Sequence, residues 1–194
     1  LGAPLVIRTG EVVDVLHALH AQVGVAAVHS HEEFGVLATW NRDRDVAAWC
    51  RKLGIAYREH RQTGTMRGLK SRNTWNKQRL ALFSQPLHPI PAALRGTSVA
   101  PGPMPTLNDL GLEPETMQYR QRGGETAGRE TMFSFLTERV PGYERNLSSP
   151  NTGWSGCSRL SVHLALGTVS AREIHARAPR RHGEPGAAQK SLQA

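Results

Sequence analysis

Between residues 84 and 121 the chain carries Pro86, Pro89, Pro91, Pro101, Pro103, Pro105 and Pro114, and nothing else in the sequence limits its fold as strongly. Proline has no backbone N–H and holds φ at about −65°, so neither a helix nor a central strand runs through such a stretch. These residues are predicted to connect two folded parts, as a linker that is either flexible or ordered by contact. With 194 residues the chain has room for one small unit on each side.

The residues ahead of the prolines alternate strand and helix signals. Pro4-Leu5-Val6-Ile7-Arg8 reads as a short buried strand. Over residues 11–23, Val12, Val15, Leu16, Leu19 and Val23 mark one helical face, which leaves His17 and His20 toward solvent. Gly24 stops that helix, and residues 25–30 read as a second strand. A polar loop over 31–41 leads to a helix near 43–53, with Val46, Trp49, Cys50 and Leu53 inward and Gly54 as its stop. Residues 55–59 make the third strand. Strands spaced by helices in this way form right-handed βαβ units, so the expected class is α/β, an incomplete Rossmann-like parallel sheet. Three strands are few for a free-standing sheet, so the chain is expected to be an internal piece of a longer protein.

Charge and cysteine usage narrow the functional classes. The net charge of +8 suits a polyanionic partner or a phosphate-bearing cofactor, although solvated arginines alone would also account for it. Two cysteines, Cys50 and Cys157, lie far apart in no metal-like spacing, which points to a reducing cytoplasmic compartment. No apolar run reaches the length of a membrane span. His29, His31, Glu32 and Glu33 are metal-capable side chains close together, but a third ligand at a recognisable spacing is lacking, and they are read as a solvated loop. In residues 61–83, Arg67, Lys70, Arg72, Lys77 and Arg79 surround Trp75. This is an amphipathic helix with Trp75, Leu80 and Phe83 packed down, or else a surface for phosphates and a stacked base.

Beyond the prolines the pattern becomes helical. Gly123-Gly124-Glu125 opens a segment with Ala127, Met132, Phe133, Leu136 and Val140 assigned to one face. Tyr143, Arg145 and Ser148-Ser149-Pro150 then precede GCSRLSVHLALGTVSAREI, residues 156–174. Ser158 and Ser161 flank the expected first turn of a mostly buried helix, where free N–H groups and hydroxyls receive an anion. Gly167 supplies a stop, and Ser170 with Glu173 reads as a capping box.

The run Cys157-Ser158-Arg159-Leu160-Ser161 resembles the phosphate-binding Thr-Ser-x-Leu-Ser-Pro segment of the photolyase/cryptochrome family, and LALGTVSAREI resembles its continuation. Cysteine stands here for the usual threonine, and Val162 for the usual proline. The resemblance extends to LVIRTGEVVDVL and to VAAVHSHEEFGVLATWNRDRDVAAWCRKLGI, which look most like the bacterial deoxyribodipyrimidine photolyases. It implies that residues 1–60 are the C-terminal part of an α/β antenna domain and that 61–121 are a basic helix and interdomain linker. Residues 122–175 would then start a helical flavin domain. It also implies FAD as cofactor, held in part by Tyr143, Cys157, Ser158, Arg159, Leu160 and Ser161, with an antenna chromophore that the motifs do not single out.

The activity so implied is light-driven splitting of cyclobutane pyrimidine dimers by electron transfer from excited reduced FAD. The partner would be damaged DNA and the protein a cytoplasmic monomer. No residue of this chain is named as catalytic, and the chain by itself is expected to be inactive. The family's cryptochrome-type blue-light photoreceptors share every feature quoted. A nucleotide-binding α/β module, or a basic nucleic-acid-binding module without flavin, would account for parts of the chain. Residues 176–194, rich in Ala, Arg, Gly and Pro, read as a divergent or disordered tail.

Overall fold

The computed structural model describes residues 2–62, 64–114 and 116–178; beyond Ala178 the expected tail lies outside the described residues. The chain divides into two compact units, Leu1–Gln62 with His88–Gln118 and Thr63–Leu87 with Tyr119–Ala194.

In the first unit α1 (Val12–Val23), β1 (Ala27–His31), α2 (Leu37–Leu53) and β2 (Ala56–His60) follow in order. β1 and β2 pair in parallel, from Ala27 opposite Ala56 to His31 opposite His60. Alternation along each strand turns Val28 and its partner Tyr57 toward the helices, where they pack on Val46, Trp49, Cys50 and Ile55. Val12, Val13 and Leu16 of α1 complete this core. The parallel sheet and flanking helices are the α/β arrangement that the pattern implied.

Several local expectations are corrected. Residues 4–8 form no strand: Leu5 is 74% exposed, and Ile7 N–H donates instead to Pro101 O at 2.6 Å. Pro101 and Pro103 have no N–H to return, so a ladder cannot grow from that single bond. α2 starts at Leu37, inside the expected loop, while Leu53 and Val23 are exposed. His20 is not on the solvent side. Its Nδ1 accepts from Val25 N–H at 2.9 Å and its ring meets Trp49 edge-on, so it closes the end of α1.

The turn before α2 is held by a carboxylate. Glu33 Oε1 accepts from Gly35 N–H at 2.5 Å and Phe34 N–H at 2.8 Å, and Oε2 lies 3.4 Å from Arg42. The Gly35 N–H, ahead of the other groups, holds the Glu33 carboxyl below its usual range. A lowered pKa stabilises the fold above the unfolded value and is lost as pH falls through the folded one. The Glu33→Gln variant will therefore melt below the wild type at pH 7, and the gap will close in acid. A pH-independent gap in melting curves would show that the charge is not what matters.

The second unit is helical: α3 (Trp75–Phe83), α4 (Glu125–Ser134), α5 (Tyr143–Leu147), α6 (Pro150–Gly156), α7 (Ser161–Ala165) and α8 (Ala171–Arg177). Met132, Leu160 and Val169 form its buried centre, with Phe135, Leu136, Leu164 and Ile174 against them. Gly128 lets α4 approach this centre closely, because a Cβ there would lie 2.6 Å from Val169 Cγ2 and 3.1 Å from His163 Nδ1. Arg129 and Arg177 both pair with Glu173 at 3.1 Å, so Glu173 ties α4 to α8 rather than completing a capping box. Ser170 still caps α8 by accepting from Arg172 N–H. α3 packs on α8 through Phe83 and His175. Trp75 Nε1 donates to Gly64 O, although Trp75 and Leu80 are not packed down but partly exposed.

The segment expected as one continuous helical face breaks after Ser134. Residues Phe135–Arg139 make a π-helical turn, with Val140 N–H donating to Phe135 O. Thr131, Ser134 and Thr137 each return a hydroxyl to a carbonyl of the preceding turn, a pattern that weakens and bends a regular helix. Phe133, still within α4, is 43% exposed rather than inward, and Phe135 packs near Met132 instead. α7 is likewise a single turn, with Val162 and Leu166 exposed rather than buried. Its inward side chains are Leu160, just before it, Leu164, and His163, whose Nδ1 lies 3.1 Å from Thr168 Oγ1.

Candidate cofactor-binding cleft

An open cleft of about 470 Å³ lies among α5, α6 and the turn before α7. Tyr143, Cys157, Ser158, Arg159 and Ser161 line it, so five of the six residues singled out in the sequence come together at one cavity. Leu160 does not. It is 3% exposed and points into the core with Met132 and Val169, where it anchors the turn from behind. The polar residues on both sides of Leu160 line the cleft while Leu160 is held in the core.

Arg159 sets the shape of the turn. Its φ of 59° places it in the left-handed region, which costs a non-glycine residue about 1–3 kcal/mol. Two contacts offset that cost. The Arg159 carbonyl accepts from Gln121 Nε2 at 2.8 Å, and its guanidinium lies 3.9 Å from the centroid of the Trp154 ring. Ser158 Oγ accepts from Leu160 N–H at 3.4 Å, a geometry that leaves the hydroxyl proton to donate outward. Tyr143 is steadied by Phe135, whose ring meets it edge-on at 5.2 Å.

Among the described residues the lining includes Arg159, four serines (Ser148, Ser149, Ser158 and Ser161) and no carboxylate. One cation and several hydroxyl donors beside aromatic and aliphatic surface suit an anionic group attached to a ring. A five-residue α7 contributes little helix field, so the side chains rather than a helix terminus carry the site. Sequence reasoning passed over Gln121 and Trp154. The only available signal was an aromatic five residues before an arginine, which is too common to act on. Elsewhere, no group of three metal-capable side chains forms among the described residues. His29 Nδ1 and His60 Nε2 lie 2.8 Å apart with near-parallel rings, while the Glu33 carboxylate is engaged as described above.

The two cysteines report on this geometry. Cys50 is fully buried, and burial pushes its thiol pKa up, whereas Cys157 is partly exposed at the cleft. Alkylation of the native protein with iodoacetamide, read by peptide mass spectrometry, will mark Cys157 and leave Cys50 unmodified until the chain is unfolded. Equal labelling of both would contradict the burial of Cys50.

Comparison with known proteins gives a consistent result. No protein-family model matches the chain. A protein named Cryptochrome DASH from Gloeobacter violaceus is 31% identical over 199 residues, covering 90% of this chain and 38% of the relative. A protein named deoxyribodipyrimidine photo-lyase from Streptomyces griseus is 28% identical over 200 residues, covering 96% of this chain and 43% of the relative. The crystal structure of a bacterial class III photolyase from Agrobacterium tumefaciens superposes with a TM-score of 0.68 at 21% identity, over 89% of this chain and 39% of that one, a likeness of fold. The chain thus spans about two fifths of the length of the proteins it matches. With the serine turn, the parallel sheet and these relatives pointing the same way, the chain belongs to the photolyase/cryptochrome family.

Proposed function

We propose that this chain supplies the diphosphate-binding part of the FAD site of a light-dependent DNA-repair flavoprotein, a deoxyribodipyrimidine photolyase. The observation that carries the reading is the gathering of Tyr143, Cys157, Ser158, Arg159 and Ser161 around one carboxylate-free cleft. The donor set fits the group: the Arg159 guanidinium would neutralise phosphate charge, the Ser158 and Ser161 hydroxyls would donate to it, and Tyr143 would offer a ring and a hydroxyl. The chemistry that FAD supplies when bound is light-driven electron donation to a cyclobutane pyrimidine dimer. This chain's part is to hold and orient the diphosphate.

The basic character of the chain supports a DNA partner. No Asp or Glu occurs from residue 60 to residue 108, while Lys70, Arg72 and Lys77 stand exposed on and before α3. A photoreceptor reading is favoured by one observation, the similarity to a protein named Cryptochrome DASH.

The test is to titrate the purified chain with FAD and with ADP, and separately with irradiated and unirradiated oligonucleotides over a salt series. The photolyase reading expects saturable binding of both nucleotides and a preference for irradiated DNA. Binding of both nucleotides without that preference would favour the photoreceptor. Steeply salt-dependent DNA binding with no nucleotide binding would replace both by a basic nucleic-acid-binding module. Dimer repair by this polypeptide alone would overturn the assignment of a partial site.

A further inference from the structure

We infer that the π-helical turn Phe135–Arg139 is the element that positions the cleft, and that Arg139 is its positioning residue. This rests on the cofactor reading above for what is positioned, but the geometry stands apart from it. Arg139 Nη1 donates to Cys157 O at 2.5 Å, while Nη2 donates to Thr131 O at 3.0 Å and Ser134 Oγ at 2.8 Å. One planar guanidinium therefore fastens the start of the Cys157–Ser161 turn to the end of α4. A lysine has no fork with which to reach all three acceptors.

The same turn supports a second lining residue. Phe135 lies against Tyr143 at 5.2 Å, and Arg139 lies over the Phe135 ring at 5.7 Å. Tyr143 and Cys157, which both line the cleft, are thus both referred to five consecutive residues. The π turn explains why these side chains coincide. An extra residue within the turn shifts everything after it around the axis, and such turns recur at functional sites. Arg139 lines no part of the cleft itself, so its effect on a ligand is indirect.

The test compares wild type, Arg139→Met and Arg139→Lys in the full chain, with three readouts: ADP affinity, the rate of Cys157 alkylation, and the rate after adding millimolar methylguanidinium. Loss of the fork should free the Cys157 carbonyl, raising the alkylation rate about tenfold and weakening ADP binding about tenfold. Methylguanidinium should restore Arg139→Met, a response that general loosening of the fold would not give. If Arg139→Met does not fold, Arg139→Lys decides by the same measurements. An unchanged alkylation rate in a folded variant overturns the inference. If the wild type binds no ADP but the alkylation rate still rises and is rescued, the positioning role stands and the cofactor reading fails.

Discussion

Replacing Arg159 by glutamate will weaken ADP and FAD binding at least about 100-fold, the largest effect expected of any single change in the cleft. The substitution removes the one cation among the lining residues and sets a carboxylate against the phosphates. Isothermal titration at low salt measures it directly. Arg159→Gly separates charge from conformation. Glycine accepts the left-handed backbone freely, so relief of that strain should offset the lost contact with Trp154, and this variant should keep its stability while losing affinity. Binding that survives both substitutions would remove the cleft from consideration as the diphosphate site.

Placing valine at Gly128 should be the most damaging packing change in the helical unit. Even the first added carbon would sit 2.6 Å from Val169 Cγ2, and Thr168 Oγ1 and His163 Nδ1 are little farther away. Val169 and His163 are themselves buried, so neither has room to withdraw. Overpacking of this kind costs about 1–3 kcal/mol, and for a unit of this size the melting temperature should drop on the order of 10 °C. Circular dichroism melts of Gly128→Ala and Gly128→Val should show a graded loss. A valine variant that melts like the wild type would mean that α4 does not approach residues 163–169 as described.

Much of the first unit was legible because its elements rest on simple periodicities. Val46, Trp49 and Cys50 recur at helical spacing, and Val28 and Tyr57 are the large apolar side chains of strands that are otherwise alanine or polar. Residues 4–8 misled because an apolar run meets the requirement of a strand without revealing what it pairs with. Its neighbour is a proline segment that cannot complete a ladder. Of the six residues that the sequence motif singled out for the cofactor, five line one cleft, and Leu160 points into the core instead. What stayed hidden depends on contacts between distant residues. Gln121 reaches Arg159 across 38 positions, and Arg139 reaches Cys157 across 18, with no periodicity to announce either. The π turn was hidden in a different way, since the three hydroxyl residues that mark it also occur in ordinary exposed helices.

The stacking of Arg159 on Trp154 has an optical consequence. An indole's emission responds to a charge held close to its face, and this ring is 58% exposed with the guanidinium 3.9 Å from its centroid. An anion drawn to Arg159 would compete for that charge and alter the local field at the ring. The protein thus carries its own fluorophore in the lining of the cleft. Occupancy should be readable from the difference in emission between the wild type and a Trp154→Phe variant, without any attached dye.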